Sequence, residues 1–261
     1  MFRLRTWLTL FTLTVFPIPA HHLIAQEAAT HPAPEAVVKD VDPLAMKVLK
    51  AVADPVQQAQ AFSFKAIVSE EDLASNGQII TSFHVIDVTV QRPDKVHIIF
   101  KGSGPRVELY TAAGSAWLYA PESKLYVSLP AKENIAAYID ALHARGIDMP
   151  VAPFLRSDFY NLAEKVVNTA YVIGRVKVID EDVHQLAFSS DDADWQIWVT
   201  GGEAPRFVRA EIVNKNLDGD PRTIIQFLDW NLNPTISAED ITFTKPADAH
   251  QIDFIPLSGG N

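Results

Sequence analysis

The 261-residue chain contains no cysteine. That absence excludes a disulfide scaffold, a thiolate zinc site, a cysteine nucleophile and a lipid-modified N-terminal Cys. Positive charge is scarce too: 22 Lys and Arg stand against 32 Asp and Glu, a net of −10. Nucleic acid and anionic membrane surfaces both require clustered cations, so neither is expected as the main partner. Beyond the N-terminus no stretch approaches 18 apolar residues, and no transmembrane helix is expected. G-x-S-x-G nucleophile elbows are missing, and Gly102-Ser103-Gly104 reads as a turn before Pro105.

What is present begins with an address. Arg3 and Arg5 precede an apolar stretch from Trp7 to Phe16, and Pro17 and Pro19 break it. A basic region, a short apolar region and cleavage after Ala20 or Ala25 make residues 1–25 an export signal. Its removal leaves 20 basic against 32 acidic residues, a net of −12. Residues 26–41 are rich in Ala, Pro and Glu without periodicity, and read as a disordered lead-in.

Asp42-Pro43 has the form of an N-cap followed by Pro at the first helical position, and Met46, Leu49, Val52 and Ala53 share a helical face. Asp54-Pro55 repeats the start signal, which predicts an end or kink there. From Phe62 the period changes to two. Asn76-Gly77 predicts a two-residue hairpin with both residues at positive φ. His84, Ile86, Val88 and Val90 then share a strand face, and Arg92-Pro93-Asp94-Lys95 turns into Val96 to Lys101. With Val107 to Thr111, Ala116 to Ala120 and Leu125 to Leu129 this makes a six-stranded antiparallel meander. Ile135, Tyr138, Ile139 and Leu142 follow i, i+3, i+4, i+7, an amphipathic helix ending near Gly146. Asp148 to Lys165 reads as a loop with a short helical piece. Strands resume at Tyr171, His184, Trp195, Phe207 and Thr223, with a last short one at Ile241 to Thr244. One domain over residues 42–255 is expected, followed by a flexible tail at 256–261.

Several motifs together resemble a family of predicted bacterial periplasmic proteins. They are the export signal, the Asp-Pro helix start, Phe62-Ser63-Phe64, Arg92-Pro93-Asp94, Asp194-Trp195-Gln196-Ile197-Trp198, Asp229-Trp230-Asn231-Leu232 and the closing Phe243-Thr244-x-Pro246. The resemblance implies a fold similar to the LolA and LolB lipoprotein carriers and the RseB stress sensor. That fold is mainly β with helices: a half-open, strongly curved antiparallel barrel of about eleven strands, with helices across the concave face. It also implies a pocket for acyl chains; the export signal points to a soluble periplasmic protein, and the N-terminal Cys that anchors LolB is missing, so no membrane anchor is expected.

Catalytic and metal signals are weaker than their plain alternatives. A hairpin centred on Pro93-Asp94 puts His97 opposite Val90 and His84 level with Ser103, about 20 Å away along the sheet, too far to share a metal. Asn214, Asn216 and Asp218-Gly219 imitate half a calcium loop, but the twelfth position is Ile225, so a polar hairpin loop is expected. Asp191, Asp192 and Asp194 read as a solvated turn. No enzyme activity, cofactor or metal is expected.

Apolar residues say more. Trp195 and Ile197 share a strand face while Trp198 takes the other, and Trp117 and Tyr119 share a face. Trp230 falls opposite Ile225 and Phe227 on simple alternation, so a bulge or a covered outer face is implied. The candidate ligand lining is Trp117, Tyr119, Ile135, Tyr138, Ile139, Leu142, Phe154, Trp195 and Ile197, with core filling as the alternative for each. The expected function is binding of a hydrophobic or amphipathic ligand, a lipid or acyl chain, by a carrier or chaperone with the central helix and the loop after it as lid. The alternative is a regulatory module that senses envelope components and acts through a protein partner.

Overall fold

A computed structural model describes residues 39–130 and 134–254. The export signal, most of the lead-in and the tail lie outside the described residues. In chain order the elements are β1 (Asp40–Val41), α1 (Pro43–Gln58), β2 (Ala61–Leu73), β3 (Ile79–Gln91), β4 (Lys95–Gly102), β5 (Val107–Ala112), β6 (Ser115–Ala120) and β7 (Leu125–Pro130). They continue with α2 (Ile135–His143), α3 (Ala152–Leu155), α4 (Phe159–Val166), β8 (Thr169–Val178), β9 (Glu181–Ser189), β10 (Ala193–Thr200), β11 (Phe207–Asn214), β12 (Arg222–Asn231), α5 (Ala238–Ile241) and β13 (His250–Gln251).

All thirteen strands form one sheet in the order β1-β8-β9-β10-β11-β12-β2-β3-β4-β5-β6-β7-β13. Eleven are the expected antiparallel strands. The other two, β1 and β13, are two-residue parallel additions beside β8 and β7, too short to produce a period. No strand forms at Ile241 to Thr244: Ser237 caps α5 there in a reciprocal box with Asp240.

The sheet is open and strongly curved. On a flat sheet β10 and β5 would stand six strand spacings apart, about 29 Å. Yet Ile139 borders both Ile197 of β10 and Leu109 of β5. Only a sheet curled around the helices brings those walls to one side chain. The concave face carries Phe62, Phe64, Ala66, Val68, Ile86, Val88, Ile98, Leu109, Leu186, Ile197 and Ile225, all buried.

Asp42 caps α1 as expected, its carboxylate accepting from the Leu44 N–H at 2.8 Å. The helix does not end or kink into a new start at Pro55 but continues to Gln58. Pro55 lies in the last turn, so only one internal bond is lost. That turn is held by buried Val56, by the Arg92 guanidinium donating to the Val56 and Ala59 carbonyls, and by Gln57, which accepts from the Tyr160 N–H at 3.0 Å.

Two turns differ from expectation. Leu73 pairs with Ile79, and Gly77 (φ 83°) alone adopts positive φ; the Gly77 N–H donates to the Ala74 carbonyl at 2.8 Å. The loop is therefore a turn over Ser75-Asn76 followed by a left-handed glycine, not a two-residue hairpin. The β3–β4 loop takes three residues, which places His97 opposite Thr89 and His84 opposite Gly102. His97 thereby faces outward and His84 inward. At Trp230 the bulge is present: the β12 register shifts between Leu228 and Asn231, and Asp229 sits at φ 53°.

Candidate functional site

Between Met149 and Val166 the chain crosses the concave face, where a loop with one helical piece was expected. It forms α3 and α4 instead. Phe159, Leu162, Ala163 and Val166 stand at i, i+3, i+4, i+7 and give α4 an apolar stripe. That stripe does not reach the sheet everywhere. A cavity of about 320 Å³ lies beneath it, between α3, α4 and the inner faces of β10 and β11. Its walls include Ile139, Phe154, Phe159, Leu162, Ala163 and Val166 on the helical side and Trp195, Ile197, Ala210 and Ile212 on the sheet side. Strand pairing puts Trp195 beside Ile212 and Ile197 beside Ala210. Small Ala210 on the sheet side and Ala163 on the helix leave the gap, since neither fills the space a larger side chain would.

Leu162 and Val166 are 37% and 53% exposed and form the mouth. Arg156 also lines the cavity and clasps the cover together. Its Nη1 donates to Asp140 of α2 at 2.7 Å, and its Nε donates to Asp158 at 2.8 Å. The hydrogen bond from Arg156 holds the Asp158 carboxyl below the usual carboxylate range.

The nine candidate lining residues separate into three groups. Ile139, Phe154, Trp195 and Ile197 line the cavity. Ile135, Tyr138 and Leu142 are fully buried where α2 meets Val96 and Leu109, with a residual space of only about 10 Å³. The helix thus plugs this part of the concave face with its apolar side. Trp117 and Tyr119 face the convex side, because Ala116 and Leu118 take the inner positions of β6. There they pack with Tyr110 and Tyr126 around Phe243 from the C-terminal segment. Trp230 belongs to the core: its Nε1 donates to the Phe207 carbonyl at 2.8 Å and its ring touches Phe62, Phe64 and Phe227.

The family described as predicted periplasmic protein (DUF2092) matches residues 45–255. The chain belongs to this family. Its periplasmic location agrees with the export signal expected from the sequence, and no described helix is long and apolar enough to cross a membrane. No curated protein matches the sequence. Among solved structures the chain is similar to LprF from Mycobacterium bovis, at 13% identity over 77% of this chain and 99% of that one, with a TM-score of 0.49. It is also similar to the lipoprotein LppX of Mycobacterium tuberculosis, at 11% identity over 75% and 100%, TM-score 0.46. A third similarity is to a LolA superfamily protein from Nitrosomonas europaea, at 13% identity over 76% and 97%, TM-score 0.30.

Titratable groups gather elsewhere. On the convex side Glu108 is buried between Tyr110, which donates to it at 2.6 Å, and Arg106, while His97 stacks on Tyr110 and meets the Asp240 carbonyl at 2.7 Å. These contacts fasten the C-terminal segment to β4 and β5. Burial pushes the His97 imidazole below its ordinary value. On the concave side Ser82 Oγ and Glu70 Oε2 lie 3.3 and 3.6 Å from His84, both at the same Nε2. A nucleophile relay needs one ring nitrogen for the hydroxyl and the other for the orienting acid, so this trio does not form one. Asn214, Asn216 and Asp192 are occupied in joining the β11–β12 loop to the β9–β10 turn. Among the described residues no group of three or more His, Asp or Glu could hold a metal.

Proposed function

We propose that the protein holds the apolar chain of a lipid or other amphipathic molecule in the cavity under α3 and α4, as a periplasmic carrier or chaperone built on a half-barrel of the LolA type. The observation that carries this reading is the cavity itself: about 320 Å³, walled mainly by aliphatic and aromatic side chains with Arg156 and Gln196 among them, opening between Leu162 and Val166. Its size lies at the lower end of small-molecule sites. Binding is by shielding and involves no covalent step. Each buried methylene contributes about 0.8 kcal/mol, so ten contribute about 8 kcal/mol before ordering costs. The Arg156 clasp keeps the cover on the sheet while Leu162 and Val166 leave an entrance.

A second reading has its own support. The β2–β3 hairpin exposes Leu73, Ile79, Ile80 and Phe83 at its tip, Phe83 by 59%. An apolar tip of this kind suits a regulatory module that senses envelope components through a protein partner. Extraction of the protein purified from its own periplasm, followed by mass spectrometry, separates the two. Stoichiometric acyl lipid supports the carrier. An extract free of apolar compounds, with a protein co-purifying instead, supports the module.

A further inference from the structure

The plug that closes one side of the first cavity leaves a second cleft on its other side. The loop from Ile147 to Pro150 roofs it, and the floor is the inner face of β3 to β6 at Ile86, Phe100, Val107, Leu109 and Leu118. This cleft is about 380 Å³. Unlike the first cavity, whose charged lining residue is Arg156 paired with Asp140 and Asp158, it has an acidic end. Glu70 and His84 occupy inner positions of β2 and β3, placed there by the pairing of Val68 with His84 and of Glu70 with Ser82.

We propose that this cleft is a separate site for a single-chain amphiphile with a primary ammonium head. Cationic selectivity follows from the charges that surround it. Lys101 lies along the cleft, but its ammonium is bound to Asp87 at 2.5 Å. Asp148 on the roof is paired with His143. The Glu70 carboxylate lies 3.6 Å from His84 and has Asp72 as a like-charged neighbour, and the Ser82 hydroxyl stands beside the same ring. Desolvation raises the Glu70 carboxyl above its ordinary value despite the attraction of His84, so a cation brought beside it would favour the charged carboxylate. An ammonium has three donors, which suit a carboxylate and a neighbouring hydroxyl. An anionic head would instead meet Glu70 and Asp148. The alkyl chain would follow Ile86, Phe100 and Leu118. This site goes beyond the reading given above and stands whether or not the first cavity holds a ligand.

Titration calorimetry with dodecylammonium and dodecanoate, both below their micellar concentrations, tests it. The measurements use the exported protein, Ala210→Phe (which fills the first cavity) and Glu70→Gln in both backgrounds. Dodecylammonium is expected to bind about tenfold more tightly than dodecanoate in Ala210→Phe, and Glu70→Gln should bring the two within about threefold. Equal affinities before the Glu70 change, or a preference that survives it, would overturn the proposal. Should Ala210→Phe fail to fold, Glu70→Gln in the unmodified chain should weaken dodecylammonium about tenfold and leave dodecanoate unchanged, and an unchanged dodecylammonium affinity would overturn the proposal. Loss of dodecanoate binding alone in Ala210→Phe bears on the first cavity and leaves this result readable.

Discussion

Leu142 and Leu162 stand on opposite sides of the division between packing and cavity, and changing each should produce opposite results. Leu142 is 2% exposed and packs with Val96, Leu109, Met149 and Leu155 around almost no free space. Leu142→Ala removes buried methyl groups and leaves a hole, which costs about 2–5 kcal/mol. For a domain of this size 1 kcal/mol corresponds to about 2–4 °C, so a loss of 3 kcal/mol lowers Tm by roughly 6–12 °C. Leu162 lies at the mouth, 37% exposed. Leu162→Asp should change stability by about 1 kcal/mol or less, since the site is partly solvated. It removes part of an apolar wall worth about 1–2 kcal/mol to a bound chain, and it places a carboxylate there. Dodecanoate affinity should therefore fall about tenfold or more. Scanning calorimetry reads the first quantity and titration of dodecanoate the second. If Leu142→Ala abolished binding without lowering Tm, or Leu162→Asp unfolded the chain without affecting binding, the division of the concave face drawn here would be wrong.

Trp230→Ala should cost about 3–5 kcal/mol by thermal melting, because the indole anchors Phe62, Phe64 and Phe227, while dodecanoate affinity stays unchanged. The Arg156 clasp predicts a pH window. Asp158 titrates below its ordinary 3.8 in the folded chain, so its contribution is complete above that value and is lost as pH falls through the lower folded value. Melts from pH 6 to pH 3 should therefore show an acid-side loss that is smaller in Asp158→Asn; an unchanged slope would remove Asp158 from the clasp.

Alternation and turn residues made most of the sheet legible, because one buried face leaves a period-two record along each strand. Trp195 and Ile197 were placed on one face and Trp198 on the other, and Arg209 indeed stacks on Trp198 on the convex side. Trp117 and Tyr119 show where that logic stops. Alternation says that they share a face but not which cover the face receives, and β6 is covered on both sides. The cover they meet is Phe243, in a segment whose short apolar run resembled a strand. The α4 stripe from Phe159 to Val166 was present in the sequence at helical spacing, yet the prolines before it gave the region the look of a loop. Ala210 and Ile212 could be found only from register: they enter the cavity because they pair with Ile197 and Trp195. The β3–β4 register slipped by one residue for a similar reason, since a three-residue loop and a two-residue loop both fit Arg92-Pro93-Asp94.

The central claim is that an apolar chain lies against Trp195. Bromine quenches indole fluorescence on contact, and Trp117, Trp198 and Trp230 do not line this cavity. Titrating the exported protein with a bromine-substituted acyl chain should quench part of the emission saturably. That quenching should disappear in Trp195→Phe and persist in Trp117→Phe. Quenching that is absent, never saturates, or survives Trp195→Phe would contradict the claim.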